Sequence, residues 1–356
     1  MNFIKMEFLQ RRDASVAHLK GFFMLVLGIE SSCDETAAAV CSFSDDGSKS
    51  LLSSEVASQI NVHRLYGGVV PEIAGRAHCE AICGTVSAAL SKAGKTLDDI
   101  DVIGVTSTPG LIGALLVGVN YAKALAYSTG KPLVAVNHIK AHVAANYLCH
   151  PNLKPPFTAL VVSGGHTSLI DVRTYTDFRR IGRTRDDAAG EAFDKIGRVL
   201  GLYYPCGAEM DALAAKGNKN AFRFPSAAIA DDTLDFSFSG LKTAALNTIN
   251  SLKQKNLPVV AEDIAASFTE AFTSSICKKI LPAVKHCGYD KIVLAGGVSA
   301  NSHLRRALSE LAQENGYSFY TPPLPLCGDN GAMVAAQAYF EYLEGNISDI
   351  YLNAMA

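Results

Sequence analysis

Met24-Leu-Val-Leu-Gly-Ile-Glu-Ser-Ser-Cys-Asp-Glu-Thr36 is an apolar run that ends in a tight polar turn. Val161-Val-Ser-Gly-Gly-His-Thr167 has the same form: an apolar run, a short polar turn, then a threonine that opens the next run. Each reads as a buried strand, a turn and a second strand. The elements that follow them also match. After the first turn, strands are expected at 37–41 and 51–58, preceded by 24–30. A helix then follows at 72–93, a strand at 101–106, a helix at 111–128, a strand at 132–136 and a helix at 139–148. The second series runs through strands at 157–162, 167–172 and 178–182. Helices at 188–202 and 208–216, a polar insertion at 216–240 and a helix at 264–286 come next. A strand at 291–295, a helix at 302–314, a strand at 318–321 and a helix at 331–342 complete it. Short apolar runs between helical periods indicate parallel strands covered on both faces. The order β-β-β-α-β-α-β-α, met twice, predicts two similar α/β domains around a central cleft, where such sheets bind ligands.

The expected division is 24–136 for the first domain and 137–330 for the second, with the last helix, about 331–356, packing back on the first. Residues 1–23 show no pattern of their own, and Met24 stands at the first strand. They read as an extension, either an upstream start or a loose tail.

Composition narrows the function classes. Of 356 residues, 49% are hydrophobic and 19% charged, which excludes a disordered chain. A net charge of −2 argues against a protein that coats nucleic acid by charge alone, although a local basic patch is compatible with it. Arg179, Arg180, Arg183 and Arg185 form one such cluster, and Lys216, Lys219 and Arg223 lie in the insertion. The nine cysteines are scattered and odd in number, as free thiols in a reducing compartment would be. No apolar run reaches the length of a membrane helix, and residues 21–29 continue into Glu30 without a cleavage site. The expected location is cytoplasmic, with no membrane partner.

Three junctions can carry chemistry. The two strand turns offer backbone N–H groups and hydroxyls to a phosphate from opposite sides, and Ser163-Gly164-Gly165 lets the backbone approach a ligand. Leu294-Ala-Gly-Gly-Val-Ser-Ala-Asn301 ends a strand in glycines before a helix, a third anion or nucleotide site. The metal candidate is Asn137-His-Ile-Lys-Ala-His142, whose histidines share one helix face four residues apart. Asp329, after a proline-rich stretch and before a helix, is the candidate third ligand, and a His-His-carboxylate set suits iron or zinc. The pair is not a zincin motif, because Ile139 stands where the catalytic glutamate would be. His63 and His78, flanking Gly67-Gly68, read as surface residues or substrate contacts. His166 lies in the second turn. Asp187, Glu191 and Asp194 fall within two helical turns, either as a solvated helix start or as acceptors for ligand hydroxyls.

Taken together, Glu30-Ser-Ser-Cys-Asp-Glu-Thr36, Tyr66-Gly-Gly-Val-Val-Pro-Glu72, Asn137-His138 with His142, Val162-Ser-Gly-Gly-His-Thr167, residues 186–195, Phe236-Ser-Phe-Ser-Gly-Leu-Lys242, Gly296-Gly-Val-Ser-Ala-Asn301 and Gly328-Asp-Asn330 resemble the TsaD family of tRNA threonylcarbamoyl-adenosine enzymes, relatives of the KEOPS catalytic subunit. The resemblance spans about residues 24–340. It implies the actin-like ATPase (ASKHA) fold. It implies transfer of threonylcarbamoyl from threonylcarbamoyl-AMP to the exocyclic amine of the adenosine 3′ of the anticodon, in tRNAs reading codons that begin with A. By similarity His138, His142 and Asp329 hold a divalent metal, Fe2+ or Zn2+. Val161, Val162, Ser163, Gly164, Gly165, Asp194, Gly207 and Asn301 bind the adenylate, with Asp211 added. The implied partners are tRNA, a TsaB-like paralogue and a TsaE-like ATPase.

Chemistry adds one further need, a group that takes or orients the proton of the attacking amine, and Asp34 and Glu35 are the candidates. The chain departs from the family at Tyr204-Pro-Cys-Gly207, where Cys206 replaces a glycine; a positive φ there would strain it. The alternatives are a non-catalytic scaffold paralogue and a small-molecule kinase of the same superfamily, with a metallopeptidase last.

Overall fold

The computed structural model describes residues 23–229 and 233–356, so expectations for 1–22 lie outside the described residues. Among the described residues, ten strands form two five-stranded sheets. The first contains β1 (Phe23–Glu30), β2 (Glu35–Ser44), β3 (Lys49–Ser58), β4 (Val102–Thr108) and β5 (Leu133–Asn137) in the order β3-β2-β1-β4-β5. The second contains β6 (Phe157–Val162), β7 (Thr167–Val172), β8 (Phe178–Arg183), β9 (Lys291–Ala295) and β10 (Ser318–Tyr320) in the order β10-β9-β6-β7-β8. The two orders are the same topology. Each central strand pairs antiparallel with its successor, as Gly28 does with Ala39 and Leu160 with Leu169. Each also pairs parallel with a later strand, as Val26 does with Val102 and Thr158 with Ile292.

The apolar runs explain the central strands. All six residues of β6 are buried, and Val26 to Glu30 of β1 are buried as well. Helices cover the faces: α1 (Pro71–Lys92) and α2 (Ile112–Thr129) on the first sheet, α7 (Ala261–Cys287) and α8 (Ser302–Glu314) on the second. Between the sheets lie α3 (His138–Cys149) and α9 (Gly331–Leu343), packed against each other. α9 rests on β1, β2 and β4, whereas α3 also touches β6 and β9. The approach of α9 depends on glycines, Gly28 and Gly331 above all. A Cβ on Gly28 would lie 2.2 Å from the Gly331 carbonyl oxygen, and one on Gly331 would lie 2.4 Å from Ala39 N.

The second series carries more helix than expected. Besides α4 (Ala189–Val199) and α5 (Gly207–Ala214), the chain forms α6 (Ser239–Gln254) directly after the insertion. Leu241, Ala245 and Ile249 bury one stripe of it against the core formed by Phe236, Phe238 and Phe272. No described helix is long and apolar enough to cross a membrane.

Candidate metal centre and nucleotide cleft

The cleft holds a cavity of about 600 Å³, a size suited to a small ligand. Its walls include the turn after β1 (Ser32, Cys33, Asp34) and the turn after β6 (Ser163, Gly164, Gly165, His166). His138 and Asp329 lie on the same wall surface, and α4 contributes Asp194, Lys195 and Arg198.

His138 opens α3. Asn137 caps that helix by accepting from the N–H groups of Ile139 and Lys140, which fixes the histidine at its first turn. Asn330 caps α9 by accepting from Met333 N and leaves Asp329 immediately outside the helix. Two helix N-termini therefore meet at the site, where their dipoles favour a carboxylate. One ligand atom from each of His138, His142 and Asp329 lies within 4.8 Å of the others. Nε2 of His142 is 3.2 Å from Asp329 Oδ1. The pair lacks hydrogen-bond geometry, and both His142 ring nitrogens are buried without a hydrogen-bond partner. A buried imidazole left unsatisfied this way fits a metal ligand. The three residues together fit one ion.

Glu30 is the residue the sequence reading missed. It is fully buried, and its carboxylate accepts from Ser32 N at 2.5 Å and from Thr106 Oγ1 at 2.7 Å. It also lies 3.1 Å from His138 Nδ1, and Ser32 Oγ is equally close to that nitrogen. Burial raises the Glu30 carboxyl, but the adjoining His138 charge and hydrogen bond, with Thr106, outweigh it and hold the carboxyl below its ordinary value. The converse applies to His138. Burial lowers it, and the charges of Asp329 and Glu30 outweigh that to push it up to about 9. This is the carboxylate–histidine arrangement that fixes the tautomer and direction of a metal-binding imidazole. His166, beside them, is lowered to about 4 by burial and by the two histidines.

The glycine turn is built for close approach. Gly190 N and Glu191 N at the start of α4 donate to the carbonyls of Ser163 and Gly164. The N–H groups of Gly164 and Gly165 find no partner among the described residues, and both glycines line the cleft. Such free amides suit an anion. Asp194 is raised chiefly by burial, and its Oδ1 accepts from Cys206 N at 2.7 Å.

The remaining candidates are distributed as follows. Asp34 lines the cavity and accepts from Tyr204 Oη at 3.2 Å. Glu35 is the first residue of β2, and Ser58 Oγ donates to it at 3.2 Å outside the cavity wall. Burial, then Asp329 and Asp34, raise its carboxyl to about 7. Val161 and Val162 are fully buried in β6 and bring only their backbone near the turn. Gly207 begins α5. Asp211 on the same helix accepts from Ser302 N and Oγ, beside Asn301, which caps α8. Cys206 has φ −84, so it carries no left-handed strain. Gly197 makes room for it, because a Cβ there would be 2.4 Å from Cys206 Cβ. His63 and His78 are buried rather than exposed: His63 bonds Gln59 and Val70 N, and His78 bonds Thr36 and the Cys33 carbonyl. Arg179, Arg180 and Arg183 are exposed on the edge strand β8.

A family model described as TsaD, tRNA N6-adenosine threonylcarbamoyltransferase, matches residues 50–336. The curated tRNA N6-adenosine threonylcarbamoyltransferase of Clostridium beijerinckii is 52% identical over 330 residues, 93% of this chain and 96% of that protein. The protein of the same name from Clostridioides difficile is 51% identical over 332 residues, 93% and 97%. Among solved structures, component A of the Acidaminococcus fermentans (R)-2-hydroxyglutaryl-CoA dehydratase superposes with a TM-score of 0.52 at 17% identity, covering 90% of this chain and 99% of that one. HypF from T. kodakarensis gives 0.61 at 15% identity, covering 92% and 48%. At those identities the likeness concerns the fold alone, the doubled actin-like architecture.

Proposed function

The chain belongs to the TsaD family of tRNA N6-adenosine threonylcarbamoyltransferases, and from that premise we propose that it transfers threonylcarbamoyl from threonylcarbamoyl-AMP to the exocyclic amine of the adenosine 3′ of the anticodon. The observation that carries this reading is the meeting, in one cleft, of a His138–His142–Asp329 ligand set with the open amides of Gly164 and Gly165.

The amides of the glycine turn receive the adenylate phosphate, and Asp194, Gly207, Asp211 and Asn301 form the nucleoside end. His138, His142 and Asp329 would hold a divalent ion, which would supply Lewis-acid polarisation there. Two imidazoles and one carboxylate suit iron or zinc. Glu30 and Ser32 hold the His138 ring with its Nε2 toward Asp329. The amine nitrogen attacks the carbamoyl carbon, the carbon–oxygen bond to phosphate breaks, and AMP leaves. Asp34 faces the cavity with Tyr204 fixing its direction, so it is the group that meets the amine and takes up its proton. Glu35, held by Ser58 outside the wall, sets the charge of that turn. By the family resemblance, a TsaB-like paralogue and a TsaE-like ATPase complete the working assembly.

The test is mass-spectrometric nucleoside analysis of tRNA from cells depleted of this protein and complemented with the wild type or His138→Ala. Loss of threonylcarbamoyl-adenosine that only the wild type restores supports transfer and the metal set together. Equal rescue by His138→Ala removes the metal from the reading, and unchanged modification removes the reaction.

A further inference from the structure

The mouth of the cleft carries aromatic and cationic groups that the transfer chemistry leaves unused. Tyr203 exposes 65% of its surface, and Tyr66 exposes 58%. The Arg64 guanidinium lies over the Tyr203 ring, 5.5 Å from its centroid, within cation–π range. Arg64 Nε also donates to the Tyr204 carbonyl at 3.3 Å. Arg64 and Tyr66 belong to the helical turn after β3, and Tyr203 to the loop after α4, so the contact bridges the two halves of the chain. The flanking residues Gly67, Gly68, Arg198 and Tyr204 line the cavity itself. Neither Arg64 nor Arg198 has a carboxylate ion-pair partner among the described residues, and Arg198 lies against Gly67.

An internal clip would bury its aromatic ring. Here one face of Tyr203 is backed by a cation and the ring stays largely open to solvent. That is the arrangement that receives a nucleobase, since every base has a π-face and its backbone is anionic. An amine on a base inside a stacked loop must also be drawn out to reach a cleft floor. We propose that Tyr203, backed by Arg64, is a stacking platform for an anticodon-loop base next to the target adenosine, with Arg198 meeting the adjoining phosphate. This rests on the transferase reading and assigns its RNA-gripping residues.

The experiment uses the full chain purified with its copurifying partners, and a labelled anticodon stem-loop RNA as probe. Wild type, Tyr203→Ala, Tyr203→Phe and Arg64→Ala are compared for RNA affinity, for KM and kcat toward RNA, and for adenylate affinity. Tyr203→Ala and Arg64→Ala are expected to weaken RNA binding about 10-fold, the scale of one lost base stack. The loss appears in KM for RNA, with kcat and adenylate affinity kept, and Tyr203→Phe binds like the wild type. RNA affinity unchanged in Tyr203→Ala overturns the proposal. So does an equal loss in Tyr203→Phe, which would assign the effect to the hydroxyl. Loss of a copurifying protein with RNA affinity intact makes the face a protein-docking surface and also overturns it. A wild type that modifies no tRNA strikes the transferase reading itself, whereas failure of the platform leaves the wild type active.

Discussion

The Glu30 carboxylate stands 3.1 Å from Nδ1 of His138, while the opposite ring nitrogen of that histidine faces Asp329 Oδ1 across 3.6 Å. The imidazole is thus held from behind by one buried acid and presented toward another. Glu30→Gln keeps the shape and removes the charge that orients the ring. It should lower metal affinity by 10–100-fold, read by competition with a chromophoric chelator, at unchanged helix content. An unchanged affinity would mean that Ser32 alone directs the ring.

His142 offers two buried nitrogens without hydrogen-bond partners. Metal binding should therefore raise the melting temperature of the wild type, as any ligand specific for the folded state does. His142→Ala should lose both that rise and the bound metal, measured by elemental analysis beside thermal scans. A full metal content in the variant would remove His142 from the ligand set.

Glu35 makes a pH-dependent prediction for the metal-free chain. Burial, then Asp329 and Asp34, raise its carboxyl from 4.5 to about 7. The folded state thus holds this proton more tightly than the unfolded state. The resulting cost is absent below about pH 4.5, grows up to about pH 7 and is constant above. Glu35→Gln should stabilise the metal-free chain by on the order of 2 kcal/mol above pH 7, after a discount for partial exposure, and by nothing near pH 4. Urea unfolding at both pH values checks this; equal gains at the two would contradict the shift.

Gly28 marks where the floor of the site is held. A Cβ there would meet the Gly331 carbonyl at 2.2 Å and Ala335 N at 2.4 Å. Both are backbone atoms and cannot swing aside. Gly28→Ala should cost about 3 kcal/mol or more and weaken metal binding, because α9 carries Asp329 at its start. Gly84, on an open face of α1 with nothing within 4 Å of an added Cβ, is the control. Gly84→Ala should stabilise by up to about 1 kcal/mol. A normal melting temperature for Gly28→Ala would show that α9 can retreat.

The legible features were those whose cause lies within a few residues. Apolar runs such as 157–162 announced buried strands, and the four-residue spacing of His138 and His142 announced one helix face. α6 was not expected because its cap is not local. The N–H groups of Phe238 and Ser239 donate to Asp186, more than fifty residues earlier, so the sequence before the helix bears no capping side chain of its own. The period Leu241, Ala245, Ile249 was the available signal. Glu30 was missed for the same kind of reason. A carboxylate at a strand end reads as the edge of a core until the crossing of α3 brings His138 to it. His63 and His78 read as exposed because their partners, Gln59, Val70, Thr36 and Cys33, meet them only in the folded chain.

A duplicated scaffold presents the same wall twice, and a ligand between identical walls could bind either way round. Here the symmetry is kept in the strands and broken in the turns. The turn after β1 lines the cleft with Ser32, Cys33 and Asp34, and its counterpart after β6 lines it with Ser163, Gly164 and Gly165. The Asp34 carboxylate opposes an anion at the first turn, and the open amides of Gly164 and Gly165 favour one at the second. The cleft is therefore a polarised socket, keyed so that an anionic group seats at the glycine turn and not at Asp34.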